Sequence, residues 1–239
     1  YQRDDEVPAK LYAKGVRAGD VRYFDYNEDG DITDADRVNV GKAIPDFYGG
    51  ITSNFSYKGF DLSLFGQFSV GGKVMAAWRG VNGSEGTDHL GLALSNVKVG
   101  DRGESVEQFF NISKEVANGY WRGEGTSNSI PRPVRIGVHT GYDYDYNVQT
   151  STRYLEDASY FKLKTVTLGY TLPESITKKI HVNSLRVYVS ADNLLTFTKY
   201  SGYDPETSFS GSPGDSNYGV DFGLQPVLRT FIFGLNLNF

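Results

Sequence analysis

The end of the chain, LRTFIFGLNLNF from Leu228 to Phe239, alternates with a period of two. Phe231, Phe233, Leu235, Leu237 and Phe239 share one face; Thr230, Gly234, Asn236 and Asn238 share the other, with Ile232 as an exception. That period is the strand period, because successive side chains of a pleated strand point to opposite faces. Glycine and asparagine fill a dry core poorly but suit a wet wall. Four other segments repeat the pattern. From Phe47 to Tyr57, Ile51, Phe55 and Tyr57 oppose Thr52, Asn54 and Ser56. From Phe60 to about Met75, Phe60, Leu62, Leu64, Phe68 and Val70 oppose Asp61, Ser63, Gln67 and Ser69, and Phe65 breaks the rule. Lys58-Gly59 joins these two segments as a tight hairpin turn. From about Ser159 to Leu172, Val166, Leu168, Tyr170 and Leu172 oppose Thr165, Thr167, Gly169 and Thr171. From Leu185 to about Thr198, Leu185, Val187, Val189 and Ala191 oppose Arg186, Tyr188, Ser190 and Asp192.

The connections alternate short and long. Residues 77–150 and 200–225 are long and rich in Gly, Ser, Asp and Asn, and a connection of such length usually carries function. Within the first, Ser105–Trp121 reads as holding a short helix capped by Ser105, and Ile130–Pro133 reads as extended. Short turns on one side and long loops on the other are the habit of up-and-down membrane barrels. No apolar run approaches the roughly 18–20 residues of a membrane helix. Barrels escape that test, because only alternate residues meet lipid. The expected fold is all-β, an antiparallel transmembrane β-barrel in the bacterial outer membrane. Residues 1–46 form a polar, irregular extracellular stretch, and 47–239 hold the strands and external loops. The chain has 17 Tyr, 15 Phe and 28 Gly, a mixture that favours strands and turns. Its 0 Cys exclude disulfides and thiolate chemistry, and its net charge of -5 argues against a nucleic-acid surface.

Asp25–Asp36, DYNEDGDITDAD, follows the calcium-loop spacing of an EF-hand at positions one, three, five and six, with an acid at twelve. Calcium is a hard cation that takes six to eight oxygens. Asp25, Asn27 and Asp29 offer side-chain oxygens from one tight curve, and Gly30 permits the turn. Asp31 offers its backbone carbonyl, Ile32 anchors the loop, and Asp36 replaces the usual, longer Glu. The expected cofactor is structural calcium, with magnesium as the other hard cation. The plainer reading is an ion-free Asp/Asn/Gly turn. VRYF before the loop looks extended, so the helix pair of an EF-hand is not expected.

Aromatic residues in the long connections, Trp78, Trp121, Tyr142, Tyr144 and Tyr146 above all, are candidate stacking surfaces for a ligand. Each is read equally as loop packing. Tyr57, Phe60, Tyr170 and Phe239 read as an interfacial girdle. His89, His139 and His181 are scattered, no G-x-S-x-G occurs, and Gly123–Asn128 lacks the Lys-Ser/Thr of a phosphate loop. The chain is not expected to be an enzyme.

Ala18–Lys73, Tyr154–Pro173, Leu185–Glu206 and the closing FGLNLNF resemble, in this order, segments of the SusC-type TonB-dependent transporters. The resemblance covers about residues 15–239 and is weakest over 77–150. It implies that this chain is a C-terminal portion, about five strands, of a 22-stranded barrel. It further implies an N-terminal plug and remaining barrel outside this sequence, a SusD-type lipoprotein as lid, and capture of oligosaccharides or peptides. The TonB system would drive import through the plug, and outer-membrane lipid would surround the barrel. Phe231, Phe233, Leu235, Leu237 and the terminal Phe239 resemble the signal read by the barrel assembly machinery. The competing reading is a secreted, calcium-dependent, carbohydrate-binding β-sandwich, in which Phe233, Leu235 and Leu237 would face a sealed core. A dockerin-like module fits less well, since such modules carry two acidic loops.

Overall fold

Lys58 and Gly59 both take positive φ, 47° and 85°. A two-residue hairpin turn needs this left-handed pair, because its twist then matches that of the strands. The strands it joins, β1 (Phe47–Tyr57) and β2 (Phe60–Val70), pair without a slip from Tyr57↔Phe60 to Phe47↔Val70. The computed structural model of the chain describes residues 1–79, 92–99, 104–109, 114–132, 146–206 and 218–239. The remaining strands among them are β3 (Lys73–Ala76), β4 (Leu92–Val99), β5 (Glu104–Phe109), β6 (Leu155–Asp157), β7 (Tyr160–Thr171), β8 (Ser184–Thr198), β9 (Val220–Asp221) and β10 (Thr230–Asn238). The α-helices are short: α1 (Ala9–Ala13), α2 (Lys114–Gly119) and α3 (Glu174–Thr177).

The chain divides into two compact units, Tyr1–Val40 with Ala76–Leu155, and Gly41–Met75 with Glu156–Phe239. This differs from the expected boundary at residue 46. Much of 77–150 gathers with the N-terminal stretch because side chains far apart in sequence bond there. Gln2 Nε2 donates to Ser127 O at 2.8 Å, and Asn147 Nδ2 to Asp20 Oδ1 at 2.9 Å. Val7, Leu11, Val16 and Tyr146 form the core of this first unit, with Tyr1, Tyr23 and Ile32 packed against it. The helix expected from Ser105 is α2, and it begins at Lys114. Ser105 instead lies in β5, which pairs antiparallel with β4, so it caps nothing.

The second unit holds a five-stranded antiparallel sheet of order β1-β2-β7-β8-β10. Its strands are the five alternating segments of the sequence, in sequence order. One row runs Phe55–Leu62–Leu168–Val189–Phe233, one residue per strand. The next row on the opposite face runs Ser56–Asp61–Gly169–Tyr188–Gly234. Phe233, Leu235 and Leu237 are 81%, 61% and 46% exposed. The sandwich reading needed these three in a sealed core, and the exposed face overturns it. β2 stops at Val70 rather than Met75, because Gly71 and Gly72 take φ of 80° and 82° and turn the chain into β3. β3 is the middle strand of a small sheet of order β6-β3-β9.

Close packing shapes the polar face. Arg186 crosses the strand between it and its partner, Nε donating to Asp61 Oδ1 at 2.9 Å. It passes over Gly169, where an added Cβ would meet both Arg186 and Asp61. Gly234 likewise makes room for the Tyr188 ring. Phe65, the sequence exception, lies on this polar face against Gly50. Aromatics cluster at the strand ends: Phe60 stacks on Tyr170 with centroids 4.5 Å apart, and Phe161 lies 6.2 Å from Phe197.

Near the far end of β7 the pairing slips between Leu163 and Thr165 on both sides: Lys164 is an inserted residue against β2, whereas toward β8 it faces two residues, Asn193 and Leu194. Such bulges re-aim side chains. Lys162 Nζ, 2% exposed, donates to Asp204 and to Glu206 Oε2 at 2.8 Å, and Lys164 Nζ also reaches Glu206. Burial pushes the Glu206 carboxyl up, but the bonds and charges of the two lysines outweigh it and hold it below its ordinary value. A depressed carboxylate stabilises fully above its ordinary value, here 4.5, and loses that stabilisation as pH falls through the depressed one. Amide-exchange protection of residues 200–206 should therefore hold above pH 4.5 and fall below it. Glu206→Gln should weaken protection at neutral pH and flatten this profile; an unchanged profile would show that the pair does not anchor the segment.

Candidate functional sites

The acidic loop closes on itself. Gly30 takes φ of 78°, as the sixth-position turn requires. The Asp25 carboxylate accepts from Asp29 N at 3.2 Å and from Gly30 N at 2.7 Å. Asn27 Oδ1 accepts from Asp29 N at 3.1 Å, and Asp29 Oδ1 from Asp31 N at 2.8 Å. Asp36 accepts from Tyr26 N at 2.9 Å on one oxygen and from Thr33 N at 2.7 Å on the other. The latter is half of a capping box, in which the Thr33 side chain accepts from Ala35 N. Ile32 packs against the core and so ties the loop down.

Lysines of the preceding segment complete the loop. Lys14 Nζ donates to both oxygens of Asp31, at 2.6 and 2.7 Å, and Lys10 Nζ donates to Asp29 O. The Lys14 bond foremost holds the Asp31 carboxyl below its usual range, and the Thr33 amide foremost does the same for Asp36. Amides and an ammonium group thus face the Asp31 and Asp36 carboxylates and favour their charged forms. Among the described residues no three acidic or histidine side chains are gathered as a ready ion cage. The Asp31 carboxylate is held by Lys14. Asp36 is engaged with amides. Asp25, Asn27 and Asp29 remain the side chains that share one curve.

The aromatic candidates separate. Tyr146 is 5% exposed and stands edge-on to Tyr23 at 5.2 Å, so it is a core residue and not a ligand platform. Its neighbours Val7, Leu11 and Val16 supplied the apolar surroundings that sequence spacing concealed. Tyr142 and Tyr144 lie outside the described residues. Trp78 is half-buried in the turn Ala77–Arg79. Trp121 lines a cleft of about 330 Å³ in the first unit, together with Tyr1, Glu6, Arg22, Asn128 and Ile130 among others. Its backbone N donates to Ile130 O at 3.1 Å and its Nε1 to Gln2 Oε1 at 3.1 Å. Glu6, Arg22 and Asn128 carried no sequence signal, because the fold alone brings the N-terminal stretch to residues 121–131. Phe231, Phe233, Leu235 and Leu237 share the exposed face of the sheet, and Phe239 is exposed just beyond β10.

No family model matches the chain. The TonB-dependent receptor P3 of Formosa agariphila is 33% identical over 225 residues, which cover 92% of this chain and 19% of that protein. Receptor P26 of the same organism is 31% identical over 241 residues, 100% of this chain and 21% of the relative. The TonB-dependent receptor SusC of Bacteroides thetaiotaomicron is 26% identical over 235 residues, 98% of this chain and 19% of SusC. The chain thus spans about a fifth of the length of the curated relatives it matches. Among solved structures, the RagAB peptide importer in its closed-closed state matches with a TM-score of 0.56 at 24% identity, covering 83% of this chain and 18% of that one. Its open-open state matches with a TM-score of 0.51. The fold agrees with these solved structures over most of the chain, and by its similarity along nearly its whole length the chain belongs with the SusC-type TonB-dependent receptors of the bacterial outer membrane.

Proposed function

We propose that this chain forms part of the wall and outer loops of an importer that takes up oligosaccharides or peptides across the outer membrane. The exposed apolar face carries the reading. Five strands present a continuous row of large side chains, Phe55 to Phe233, and among the described residues no layer packs on it. A soluble surface rarely exposes so large an apolar patch, whereas hydrocarbon requires one. The polar face, with Asp61, Arg186 and the lysines, then lines the interior. β1 and β10 are the edges of this sheet. Each unpaired backbone group costs several kcal/mol in hydrocarbon, so further strands would close the wall, and a total of 22 is what the family resemblance implies. A plug in the lumen, a SusD-type lid and drive from the TonB system complete the assembly, in keeping with the similarity to SusC and to the RagAB peptide importer. The chain has no catalytic part in this scheme.

We further propose that calcium binds the loop through Asp25, Asn27 and Asp29 and stabilises it structurally. The positive φ of Gly30 and the inward-turned Asp25 carboxylate support this.

Three outcomes are expected. Phe233→Arg should sharply reduce folded protein in the outer membrane, because an arginine facing mid-bilayer costs about 2–4 kcal/mol, while Asn236→Arg on the polar face should be tolerated. Equal levels of heat-modifiable protein for the two variants would reject the lipid-facing assignment. Deleting the gene that encodes the intact protein should abolish growth on its oligosaccharide or peptide nutrient, and a variant lacking the TonB-contacting segment should fail to restore it. Growth restored by that variant would argue against active import. Calcium should raise the thermal stability of the intact protein, and Asp25→Ala with Asp29→Ala should remove that response.

A further inference from the structure

The cleft around Trp121 lies wholly within the first unit, and its walls are already built. Gly19 takes φ of 90°, and a Cβ there would come within 2.7 Å of the Trp121 ring and 2.9 Å of Arg132 Cβ. The indole therefore packs directly on backbone. Gln2 fixes its Nε1, and the same Gln2 Oε1 accepts from Gly125 N at 2.8 Å. Gln2 Nε2 in turn donates to Asn128 Oδ1 at 2.8 Å. One glutamine thus holds the tryptophan, the 123–126 turn and Asn128 in one arrangement. Below them Arg132 grips Asp20 through two bonds, 2.7 and 3.0 Å long. A platform held this firmly loses little freedom when a ligand arrives.

The groups left for a ligand are planar and polar. Arg22 makes no hydrogen bond or ion pair among the described residues; its guanidinium lies 5.9 Å from the Tyr1 ring centroid. Asn128 has its oxygen engaged and its Nδ2 available. Glu6 accepts from Gln2 N at 2.9 Å, a bond that foremost keeps its carboxyl below the usual range. A fork of donors, an amide and an anionic acceptor beside an aromatic face suit vicinal hydroxyls on a ring. The volume of about 330 Å³ falls at the small end of ligand sites, about 300–1,000 Å³, and suits one or two rings.

A peptide laid on as an added strand would need open backbone edges. Here the wall's backbone is largely paired: Gly19 N with Tyr1 O, Arg132 N with Gly19 O, Trp121 N with Ile130 O, Ile130 N with Ser127 Oγ.

We propose that this cleft is a sugar subsite, taking a pyranose ring of an oligosaccharide against the Trp121 indole with its hydroxyls on Arg22, Glu6 and Asn128; this rests on the importer reading.

The test uses the intact protein purified in detergent, applied to a microarray of neutral and acidic oligosaccharides, with a pool of random decapeptides as competitor. The strongest array glycan is then titrated by calorimetry. Trp121→Ala should weaken binding about tenfold, Trp121→Phe should keep most of it, and Arg22→Ala should weaken it about threefold. Arg22 is exposed and makes no hydrogen bond or ion pair among the described residues, so its variant folds even if Trp121→Ala does not. Binding unchanged in both alanine variants overturns the subsite, as does binding of the peptide pool with no glycan. If glycan-dependent growth still requires the protein while Trp121→Ala and Arg22→Ala bind normally, the cleft assignment falls and the importer stands. If neither glycan binding nor glycan-dependent growth is found, the subsite falls and import is left to peptides alone.

Discussion

In hydrocarbon a backbone amide has no water to turn to. Every N–H and C=O that crosses a bilayer must find a partner in the protein, and this leaves helices or closed sheets. No described helix here is long and apolar enough to cross. The five-stranded sheet satisfies its inner strands through neighbours on both sides, in order along the chain. The pairs β1-β2 and β7-β8 close over short connections, where loop entropy is small, while β2-β7 and β8-β10 close over long ones, whose cost grows only slowly with length. The Lys58-Gly59 turn shows the economy: two left-handed residues reverse the chain without leaving a backbone group stranded, and Gly59 O accepts from Thr171 N of the next strand.

Once the pairing is fixed, alternation decides the rest. A one-residue slip would move every greasy side chain to the polar face, so the register must be held by something other than backbone bonds, which are indifferent to it. The polar face supplies that. Arg186 reaches Asp61 two strands away only because Gly169 lies between them without a side chain. Tyr188 lies across Gly234 in the same way. Each pairing of a large residue with a glycine works in one register alone. The glycines that looked like poor core filling are the spaces into which polar side chains fold.

Strand positions were legible because the period of two is a property of neighbouring residues. The two exceptions, Phe65 and Ile232, turn out to be true polar-face positions; Phe65 lies on Gly50, and Ile232 opposite Ser190. The family was legible for the same reason, since its motifs are local strings. What stayed hidden depends on contacts between distant residues. Tyr146 looked like a loop aromatic because its core partners, Val7, Leu11 and Val16, lie at the other end of the sequence. The bulge at Lys164 was invisible because one inserted residue leaves apolar residues on both sides of it. Ser105 read as a helix cap, but cap chemistry is satisfied by any polar residue before an apolar run, and strand pairing overrode it.

The acidic loop and the Trp121 cleft use one strategy for opposite ends. In both, short polar side chains are spent on backbone amides, which fixes the turns without a large core. In the loop this leaves an excess of negative charge, which Lys10 and Lys14 offset by placing ammonium groups beside Asp29 and Asp31. In the cleft it leaves a cation instead, since Gln2 and Asp20 are engaged with Trp121 and Arg132 while the lining Arg22 has only the Tyr1 ring beside it among the described residues. A small unit with a modest core has few ways to hold a rigid surface toward solvent. Saturating its turns with side-chain bonds is one, and it makes the residues that stay unsaturated the natural place for a polar ligand to bind.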